Sequence, residues 1–376
     1  MQYSNFDSIG RKISKLGFGL MRLPKAREGE ETINREEAFR LIDLAVESGV
    51  NYFDTAYVYH GGDSEAFAKE ALSRYPRESY CLATKLPGWV IKERNATPEQ
   101  LFNEQLEKCG VDYFDFYLLH SVNRDIWKVF DNANAYEYLK EQKKAGKIKH
   151  LGFSFHGDLE FFIELLDKYE WDFAQLQINY YDWEAANAKE YYKALEDRNI
   201  PCIIMEPVRG GSLHTLNDEA RAVFEELGDA SAASYAMRFN LELPGVLTIL
   251  SGMSTYEQVE DNLKTFSECK PLSEKEKEAI QKANILFRKN FAVPCTDCKY
   301  CVETCPAGVN IPACFRAYNE YNKTREMVDF NKEYDLIPEE MRAHNCIECG
   351  ACSEKCPQKI NIPKMLKKPA GLSKGE

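Results

Sequence analysis

The sequence lacks the features that mark secreted, membrane and nucleic-acid-binding proteins. Its first eleven residues are polar and contain no apolar core of a secretion signal, and no apolar run is long enough to span a bilayer. Positive charge is scarce, since 48 Lys and Arg stand against 60 Asp and Glu, which gives a net charge of −12. Because nucleic acids and anionic lipid surfaces require a basic face, neither is expected as a partner. The expected location is the cytoplasm.

The third glycine of a dinucleotide-binding turn is also missing. An open, doubly wound sheet normally carries Gly-x-Gly-x-x-Gly after its first strand, with a helix following. Residues 17–22 read GFGLMR, which supplies Gly17 and Gly19 but neither the third glycine nor a helical pattern behind it. The doubly wound sheet is therefore the less favoured α/β layout.

Eight short apolar runs alternate with helical patterns in the first two thirds of the chain. Helix ends are readable between the runs, as where Thr97, Pro98 and Gln100 form a capping signal. Eight strand–helix units over roughly 250 residues predict a (β/α)8 TIM barrel, which we assign to residues 1–285. The runs cover residues 13–23, 51–56, 80–86, 113–120, 148–154, 173–180, 201–207 and 245–252.

Cysteines dominate the remaining residues, 286–376. Of thirteen cysteines, eight form two Cys-x2-Cys-x2-Cys-x3-Cys-Pro runs, a spacing typical of [4Fe–4S] clusters in which the fourth cysteine ligates the other cluster. Zinc, the alternative, usually uses paired Cys-x2-Cys knuckles and fits this spacing less well. The sequence therefore predicts two [4Fe–4S] clusters with crossed ligation. The first ligand set is Cys295, Cys298, Cys301 and Cys356; the second set is Cys346, Cys349, Cys352 and Cys305.

The cysteine-rich tail is also an internal repeat. Residues 295–312 recur as 346–363, and both copies end in Asn-Ile-Pro. The tail resembles the bacterial two-cluster ferredoxins but departs from them in a helical insert at residues 313–345. We therefore expect a helix-rich, ferredoxin-like iron–sulfur domain. The five other cysteines lie among apolar neighbours and are expected to be buried free thiols: Cys81, Cys109, Cys202, Cys269 and Cys314.

Four polar residues stand where strands of the predicted barrel end. Asp54 and Tyr59 follow the second strand, Lys85 ends the third and His120 ends the fourth. Reduction of a carbonyl by hydride requires a proton donor, and a tyrosine serves at neutral pH only if its pKa is lowered. A lysine ammonium held by an aspartate does this, and a histidine can orient the carbonyl oxygen. These four are the predicted catalytic residues.

The chain from about residue 10 to 266 resembles the aldo-keto reductases. Asp54-Thr55-Ala56-x-x-Tyr59 is similar to that family's signature, and Lys85 and His120 follow at the family's spacing. The resemblance implies a nicotinamide cofactor, hydride transfer to or from an aldehyde or ketone, and Tyr59 as the acid/base. It also implies cofactor contacts from Gly19, Met21, Asp54, Ser154, Gln177, Met205, Pro207, Val208, Gly210, Gly252, Ser254, Gln258, Asp261 and Asn262.

The cofactor loops depart from the family in their charge. Some branches place Lys and Arg around the eighth strand to hold the 2′-phosphate of NADPH, where this chain has Gly252 and Gln258. Arg209 is the only guanidinium in either loop, and the resemblance places it nearer the pyrophosphate. Because a phosphate needs cations when it is buried, we expect either cofactor to bind with NADH weakly favoured.

The whole sequence thus predicts an aldo-keto reductase fused to a two-cluster electron-transfer domain, with a small carbonyl or alcohol as substrate. A nicotinamide gives two electrons as hydride whereas a cluster takes one, so direct exchange requires a splitter such as a flavin, for which no motif is found. Either a flavin or another cofactor occupies the barrel mouth, or the clusters serve a redox partner protein, or they are structural. The rival interpretation is an electron carrier or redox sensor whose barrel is not catalytic.

Overall fold

The computed structural model describes residues 1–27, 32–268, 270–290, 292–302 and 304–374. The chain divides into two compact units. The first consists of Met1–Pro207 and Ala233–Leu272, and the second of Val208–Ala232 and Ser273–Glu376. The predicted domain boundary between residues 285 and 286 stays a prediction.

The described residues form ten strands, of which eight close into a parallel barrel. Around the barrel the order is β10-β3-β4-β5-β6-β7-β8-β9, and every neighbouring pair is parallel. All seven residues of β5 are buried, as expected for parallel strands covered on both faces. The predicted (β/α)8 barrel is confirmed. The strands are β1 Tyr3–Asn5, β2 Lys12–Ser14, β3 Leu16–Gly19, β4 Tyr52–Asp54, β5 Cys81–Pro87, β6 Phe114–Val122, β7 Ile148–Phe155, β8 Phe173–Gln177, β9 Cys202–Met205 and β10 Val246–Gly252.

The first apolar run, residues 13–23, is not one strand as predicted. Its start belongs to β2, which pairs with β1 as an antiparallel hairpin outside the barrel order, and only β3 enters the barrel. Ile9 and Ile13 of this hairpin region are buried in a cluster with Tyr52, Cys81 and Phe173, the first residues of β4, β5 and β8. The hairpin therefore packs apolar side chains against the amino ends of barrel strands.

The helices follow the capping signals of the sequence. Thr97 accepts a hydrogen bond from the Gln100 N–H, the Gln100 side chain caps the Thr97 N–H in return, and Gly110 ends that helix at φ 62°. None of the helices in the described ranges combines the length and the apolar character needed to cross a bilayer. In the first unit and the segment inserted in it, the helices are α1 Arg35–Glu47, α2 Ser64–Leu72, α3 Gly88–Arg94, α4 Pro98–Cys109, α5 Arg124–Asn132, α6 Ala135–Lys144, α7 Leu159–Lys168, α8 Asp182–Ala185, α9 Ala188–Glu196, α10 Asp218–Glu225, α11 Ala232–Leu241 and α12 Tyr256–Glu268.

The second unit is helical and has its own core, as predicted for a helix-rich tail. Val293, Val309, Phe315, Phe330 and Ile337 are buried in this core, and six of the eight cysteines of the two runs lie in it or pack against it. The insert between the two cysteine runs forms most of α14 and all of α15. The helices that follow α12 are α13 Glu274–Asn290, α14 Ile311–Thr324, α15 Met327–Tyr334, α16 Ala351–Glu354 and α17 Ile362–Leu372.

The internal repeat extends to backbone conformation. Asp297 and Lys299 have positive φ in the first copy, and Glu348 and Gly350, 51 residues later, have positive φ in the second. The Asn-Ile-Pro sequences start α14 and α17, and in each the asparagine side chain accepts a hydrogen bond from the backbone N–H three residues on. The two copies therefore share turns and helix starts as well as sequence.

Candidate active site and cysteine-lined cavities

The four predicted catalytic residues lie at or just beyond the carboxyl ends of three neighbouring strands. Asp54 is the last residue of β4, Lys85 lies near the end of β5, and His120 lies near the end of β6. Tyr59 begins a 3₁₀ turn, Tyr59–Gly62, shortly after β4. Since catalytic residues of such barrels occupy this end of the strands, the placement suits an active site.

Lys85 is the centre of the group. Its Nζ donates to Asp54 Oδ1 at 2.6 Å and to the backbone oxygen of Thr55 at 2.8 Å, and it lies 3.5 Å from Tyr59 Oη. The Lys85 side chain is completely buried and that of Asp54 is 4% exposed. His120 packs edge-on to the ring of Tyr59, with 6.2 Å between the ring centroids. The structure therefore brings all four side chains together.

Burial controls the charges of this group. It raises the pKa of Asp54 and lowers the pKa of Lys85, and the ion pair between them opposes both effects. Burial, reinforced by the positive charge of Lys85, holds the pKa of His120 well below its ordinary value. His120 is therefore neutral at physiological pH and can donate a hydrogen bond without carrying a charge.

A second buried carboxyl group beneath Lys85 was missed by the sequence analysis. Glu65 is fully buried in α2, where Oε1 accepts hydrogen bonds from Thr84 Oγ1 and Gln105 Nε2, both at 2.6 Å. Gln105 Nε2 also contacts the backbone oxygen of Lys85 at 3.1 Å. The available signal was the helical position of Glu65, which shares a face with the apolar Ala68 and Leu72.

The predicted nicotinamide contacts lie at the ends of the next three strands. Ser154 in β7 is buried, and its Oγ accepts a hydrogen bond from the Ser121 N–H at 2.8 Å. Gln177 ends β8, where its amide donates to Asp182 at 2.7 Å, and it pairs in register with Met205, the last residue of β9. These hydroxyl, amide and thioether groups therefore come from adjacent strands.

The predicted adenosine contacts gather where β10 meets β3. Gly252 pairs in register with Gly19, which also pairs with Asp54. Ser254 Oγ donates to the backbone oxygen of Arg22 at 2.6 Å, and the Ser254 N–H donates to Gln258 at 2.7 Å. Also in this region are Met21 in the 3₁₀ turn after β3, half-buried Asp261, and Asn262, which bonds Ser251 at 3.0 Å.

The remaining predicted cofactor residues follow β9 along the chain and span the boundary between the two units. Pro207 closes the first stretch of the first unit, whereas Val208 and Gly210 belong to the second unit. Arg209, which the resemblance places near the pyrophosphate, is 1% exposed and donates within the second unit to the backbone oxygen of Pro294 at 3.2 Å.

The eight cysteines of the two runs line two separate cavities. One is lined by the first ligand set together with Gln358 and Lys299. The other is lined by the second ligand set together with Glu348. Each cavity takes three cysteines from one run and the fourth from the other, which is the predicted crossed arrangement. Among the described residues, no three His, Cys, Asp or Glu side chains are grouped so that they could hold a single metal ion.

The remaining cysteines are buried where the structure describes them. Cys81, Cys109, Cys202 and Cys314 are buried free thiols, as predicted, and Cys269 lies outside the described residues. Burial raises the pKa of the Cys295 thiol to about 12, and the guanidinium of Arg209 acts in the opposite direction. Arg209 lies beside the first ligand set, because its side chain contacts Pro294, which precedes Cys295, and Gln358, which follows Cys356 by two residues.

Comparison with known proteins decides the family. The model of the aldo/keto reductase family matches residues 15–285, more than half of the chain. The chain belongs to the aldo/keto reductase family. The model of the 4Fe-4S dicluster domain matches residues 294–360, which contain both cysteine runs. This protein is thus an aldo-keto reductase type of oxidoreductase with a C-terminal iron–sulfur domain.

Individual relatives support the same assignment. The aldo-keto reductase is 25% identical over 300 residues to the uncharacterized oxidoreductase YqkF of Bacillus subtilis, covering 72% of this chain and 92% of that protein. It is 27% identical over 221 residues to the NADH-specific methylglyoxal reductase of Escherichia coli, covering 54% and 65%. The structure of aldo-keto reductase AKR11C1 from Bacillus halodurans in its holo form superposes with a TM-score of 0.61 at 25% identity, covering 75% of this chain and 96% of that one.

Proposed function

We propose that this protein transfers hydride between a nicotinamide cofactor and the carbonyl carbon of a small aldehyde or ketone, with Tyr59 as the proton donor or acceptor. The observation that carries the proposal is the position of the Lys85 ammonium. It is bonded to Asp54 and lies 3.5 Å from Tyr59 Oη, inside a buried group of four. A buried cation at this place favours the phenolate over the phenol, which is what a tyrosine acid needs near neutral pH.

Each side chain has a distinct part in this proposal. When bound, the nicotinamide supplies the hydride. Asp54 keeps Lys85 charged and oriented, Lys85 stabilises the negative charge that Tyr59 acquires when it gives up its proton, and neutral His120 donates a hydrogen bond to the carbonyl oxygen. The same residues serve the reverse direction, in which Tyr59 accepts the proton of an alcohol.

The strand ends beside this group suit a nicotinamide. A carboxamide needs both donors and acceptors, and the hydroxyl of Ser154 and the amide of Gln177 supply both kinds from neighbouring strands. Asp182 and Ser121 fix these two side chains by hydrogen bonds. We therefore assign Ser154, Gln177 and Met205 to the nicotinamide end, and the loop after β10 to the adenosine end.

For the cofactor we propose a preference for NADH, or discrimination of at most about 1–2 kcal/mol. The side chain of Arg209 bonds within the second unit. The cation that we test as a contact for a 2′-phosphate is therefore Arg22, whose side chain lies next to Gly252. Titration of anaerobic protein and of Arg22→Met with NADH and NADPH, followed by nicotinamide fluorescence, tests this. A hundredfold preference for NADPH that disappears in Arg22→Met would contradict the proposal and identify Arg22 as the phosphate contact.

For the second unit we propose two [4Fe–4S] clusters, one in each cysteine-lined cavity, which pass single electrons to a redox partner protein. The soft thiolate donors suit iron–sulfur clusters, and the fourth ligand of each cavity comes from the other run. Anaerobic protein should contain about eight iron and eight acid-labile sulfide per chain. Cys356→Ala should damage the cluster bound by Cys295, Cys298 and Cys301; damage limited to the other cluster would disprove crossed ligation.

The experiment that tests hydride transfer is the Tyr59→Phe substitution. It removes the acid and keeps the ring, so cofactor binding should survive while turnover on a panel of aldehydes and ketones falls by roughly 10²–10⁴-fold. Tyr57→Phe is the matched control, since Tyr57 bonds Glu104 on a neighbouring helix and is assigned no role in proton transfer. Near-normal turnover in Tyr59→Phe excludes this mechanism.

A further inference from the structure

Arg209 is built into the second unit by both its side chain and its backbone. It begins a 3₁₀ turn, Arg209–Gly211, and has φ 51°, a left-handed conformation that is uncommon for a residue with a side chain. The next residue, Gly210, lies so close to the cysteine run that an added Cβ would be 2.2 Å from the backbone oxygen of Thr296. Only glycine fits at this position, so the turn is held firmly against the run.

The guanidinium of Arg209 joins the two chain segments that supply the first ligand set. One donor group, Nη2, contacts the backbone oxygen of Pro294 at 3.2 Å and the side-chain oxygen of Gln358 at 3.4 Å. Pro294 precedes Cys295, and Gln358 follows Cys356 by two residues. Cys356 is the ligand that comes from the other run. Arg209 therefore links the segment that contains Cys356 to the segment that begins the first run.

This arrangement has no counterpart in the second copy of the repeat. Counted by the repeat, Gln358 corresponds to Ala307, which has no side-chain acceptor for an arginine, and Lys299 corresponds to Gly350. The acidic residues balance between the copies, because Glu348 corresponds to Asp297. The first site therefore has two cationic side chains, Arg209 and Lys299, without counterparts at the equivalent repeat positions of the second, where the cation present is Lys367, an exposed side chain that pairs with Glu348 at 2.9 Å.

We propose that Arg209 is a positioning residue for the first ligand set and raises the reduction potential of the cluster bound there above that of the second. This rests on the cluster assignment proposed above. Four thiolates outweigh the positive charge of an iron–sulfur core, so the cluster is anionic and becomes more so when it takes one electron. No bond breaks and no proton moves in this step. A buried cation nearby stabilises the reduced form more than the oxidised form, and nearby charge is a main determinant of such potentials.

The test is a redox titration of anaerobically purified full-length protein with dithionite, followed by electron paramagnetic resonance, in parallel with iron and sulfide analysis. Arg209→Gln should make one-electron reduction of the cluster that is reduced first at least tenfold less favourable, which is 59 mV, and leave the other cluster unchanged. Arg209→Lys should retain most of the original potential because it retains the charge. Arg316→Gln is the control, since it removes an exposed arginine from the same unit.

Each outcome decides the question. Unchanged potentials in Arg209→Gln with a full iron content overturn the proposal, and so does an equal shift in Arg316→Gln. Loss of the first cluster alone in Arg209→Gln supports the positioning role. If Arg209→Gln loses both clusters, Arg209→Lys decides the question. A tenfold less favourable reduction of the first cluster in Arg209→Lys rules out the charge effect, and an unchanged reduction potential supports it. Absence of iron and sulfide from the unmutated protein would instead refute the cluster assignment itself.

Discussion

The ion pair between Lys85 and Asp54 is a buried pair whose members depend on each other. Removing one partner of such a pair leaves an uncompensated charge and typically costs about 3–5 kcal/mol. We expect Lys85→Met to lower the free energy of unfolding by this amount. In the double variant with Asp54→Asn much of the loss should be recovered, because no buried charge remains.

Tryptophan fluorescence during denaturant unfolding measures the free energy of unfolding of the two single variants and of the double variant. Trp89, Trp127, Trp171 and Trp183 are the four tryptophans of the chain and all lie in the first unit. The signal therefore reports the barrel and not the cluster-bearing unit. Additive losses in the two single variants would show that Asp54 is stabilised by other groups.

His120 predicts how barrel stability depends on pH. Its pKa is held well below the ordinary value of 6.5, so below pH 6.5 the unfolded chain binds a proton that the folded chain does not. The free energy of unfolding should fall as the pH drops below 6.5, by up to about 1.4 kcal/mol per unit, and should be unaffected by this residue above 6.5. His120→Asn should flatten the curve between pH 6.5 and 5, and an unchanged slope in that variant would contradict the prediction. The same fluorescence titration, repeated at several pH values, measures this.

At the residue scale, the sequence predicts side chains whose chemistry repeats a known pattern and misses those defined by distant contacts. Asp54, Tyr59, Lys85 and His120 follow recognisable spacing, and the structure brings them together. Glu65 lies among apolar neighbours in the sequence, and only the fold shows that Thr84 and Gln105 donate hydrogen bonds to it.

Among the elements, the hairpin of β1 and β2 is the one that sequence patterns do not separate from the barrel. Ile13 is completely buried among side chains at the amino ends of barrel strands. We expect Ile13→Ala to cost about 2–5 kcal/mol of barrel stability, since it leaves a cavity in a packed core. Lys12→Ala, an exposed neighbour in β2, should change stability by less than about 0.5 kcal/mol. Equal effects of the two substitutions would show that the hairpin does not contribute to the core.

The eight barrel strands were predictable because parallel strands buried on both faces are nearly continuous apolar runs. The split of residues 13–23 was not, because β2 and β3 are separated by one residue, and Ile13 and Ser14 of β2 are as buried as the whole of β3. Their difference lies in hydrogen-bond partners, antiparallel β1 for one strand and parallel β4 and β10 for the other. Composition alone contains no sign of this change.

At the scale of the whole molecule, the segment Val208–Ala232 belongs to the second unit, although the rest of that unit starts only at Ser273. Its helix α10 packs on α13, and Asn217 donates to the backbone oxygen of Leu286 at 3.3 Å. Sequence order places this segment inside the barrel domain, and nothing in its composition contradicts that. The contacts between α10 and α13 join residues far apart in the chain, so they follow from the fold and not from sequence order.

This packing predicts different behaviour for two truncated chains. A chain ending at residue 272 lacks α13, so the buried Val223 and Phe224 of α10 lose their cover, whereas a chain ending at residue 290 retains it. We expect trypsin to cut after Arg221 much faster in the shorter chain, because burial of one such side chain contributes about 1.5–3 kcal/mol. Mass spectrometry of the digests measures the rates. Equal rates would show that α13 does not stabilise α10.

The crossed cysteine sets have a mechanical consequence. In the proposed assignment the first cluster bonds three cysteines before the insert and one after it, and the second bonds one before and three after, so the two sides of the insert are joined through both clusters. A protease that cuts once between these helices, near Arg325, would leave two fragments that migrate together as long as iron is bound. Treatment with a chelator should then release the C-terminal fragment, because removal of the iron breaks the bonds that link the two fragments.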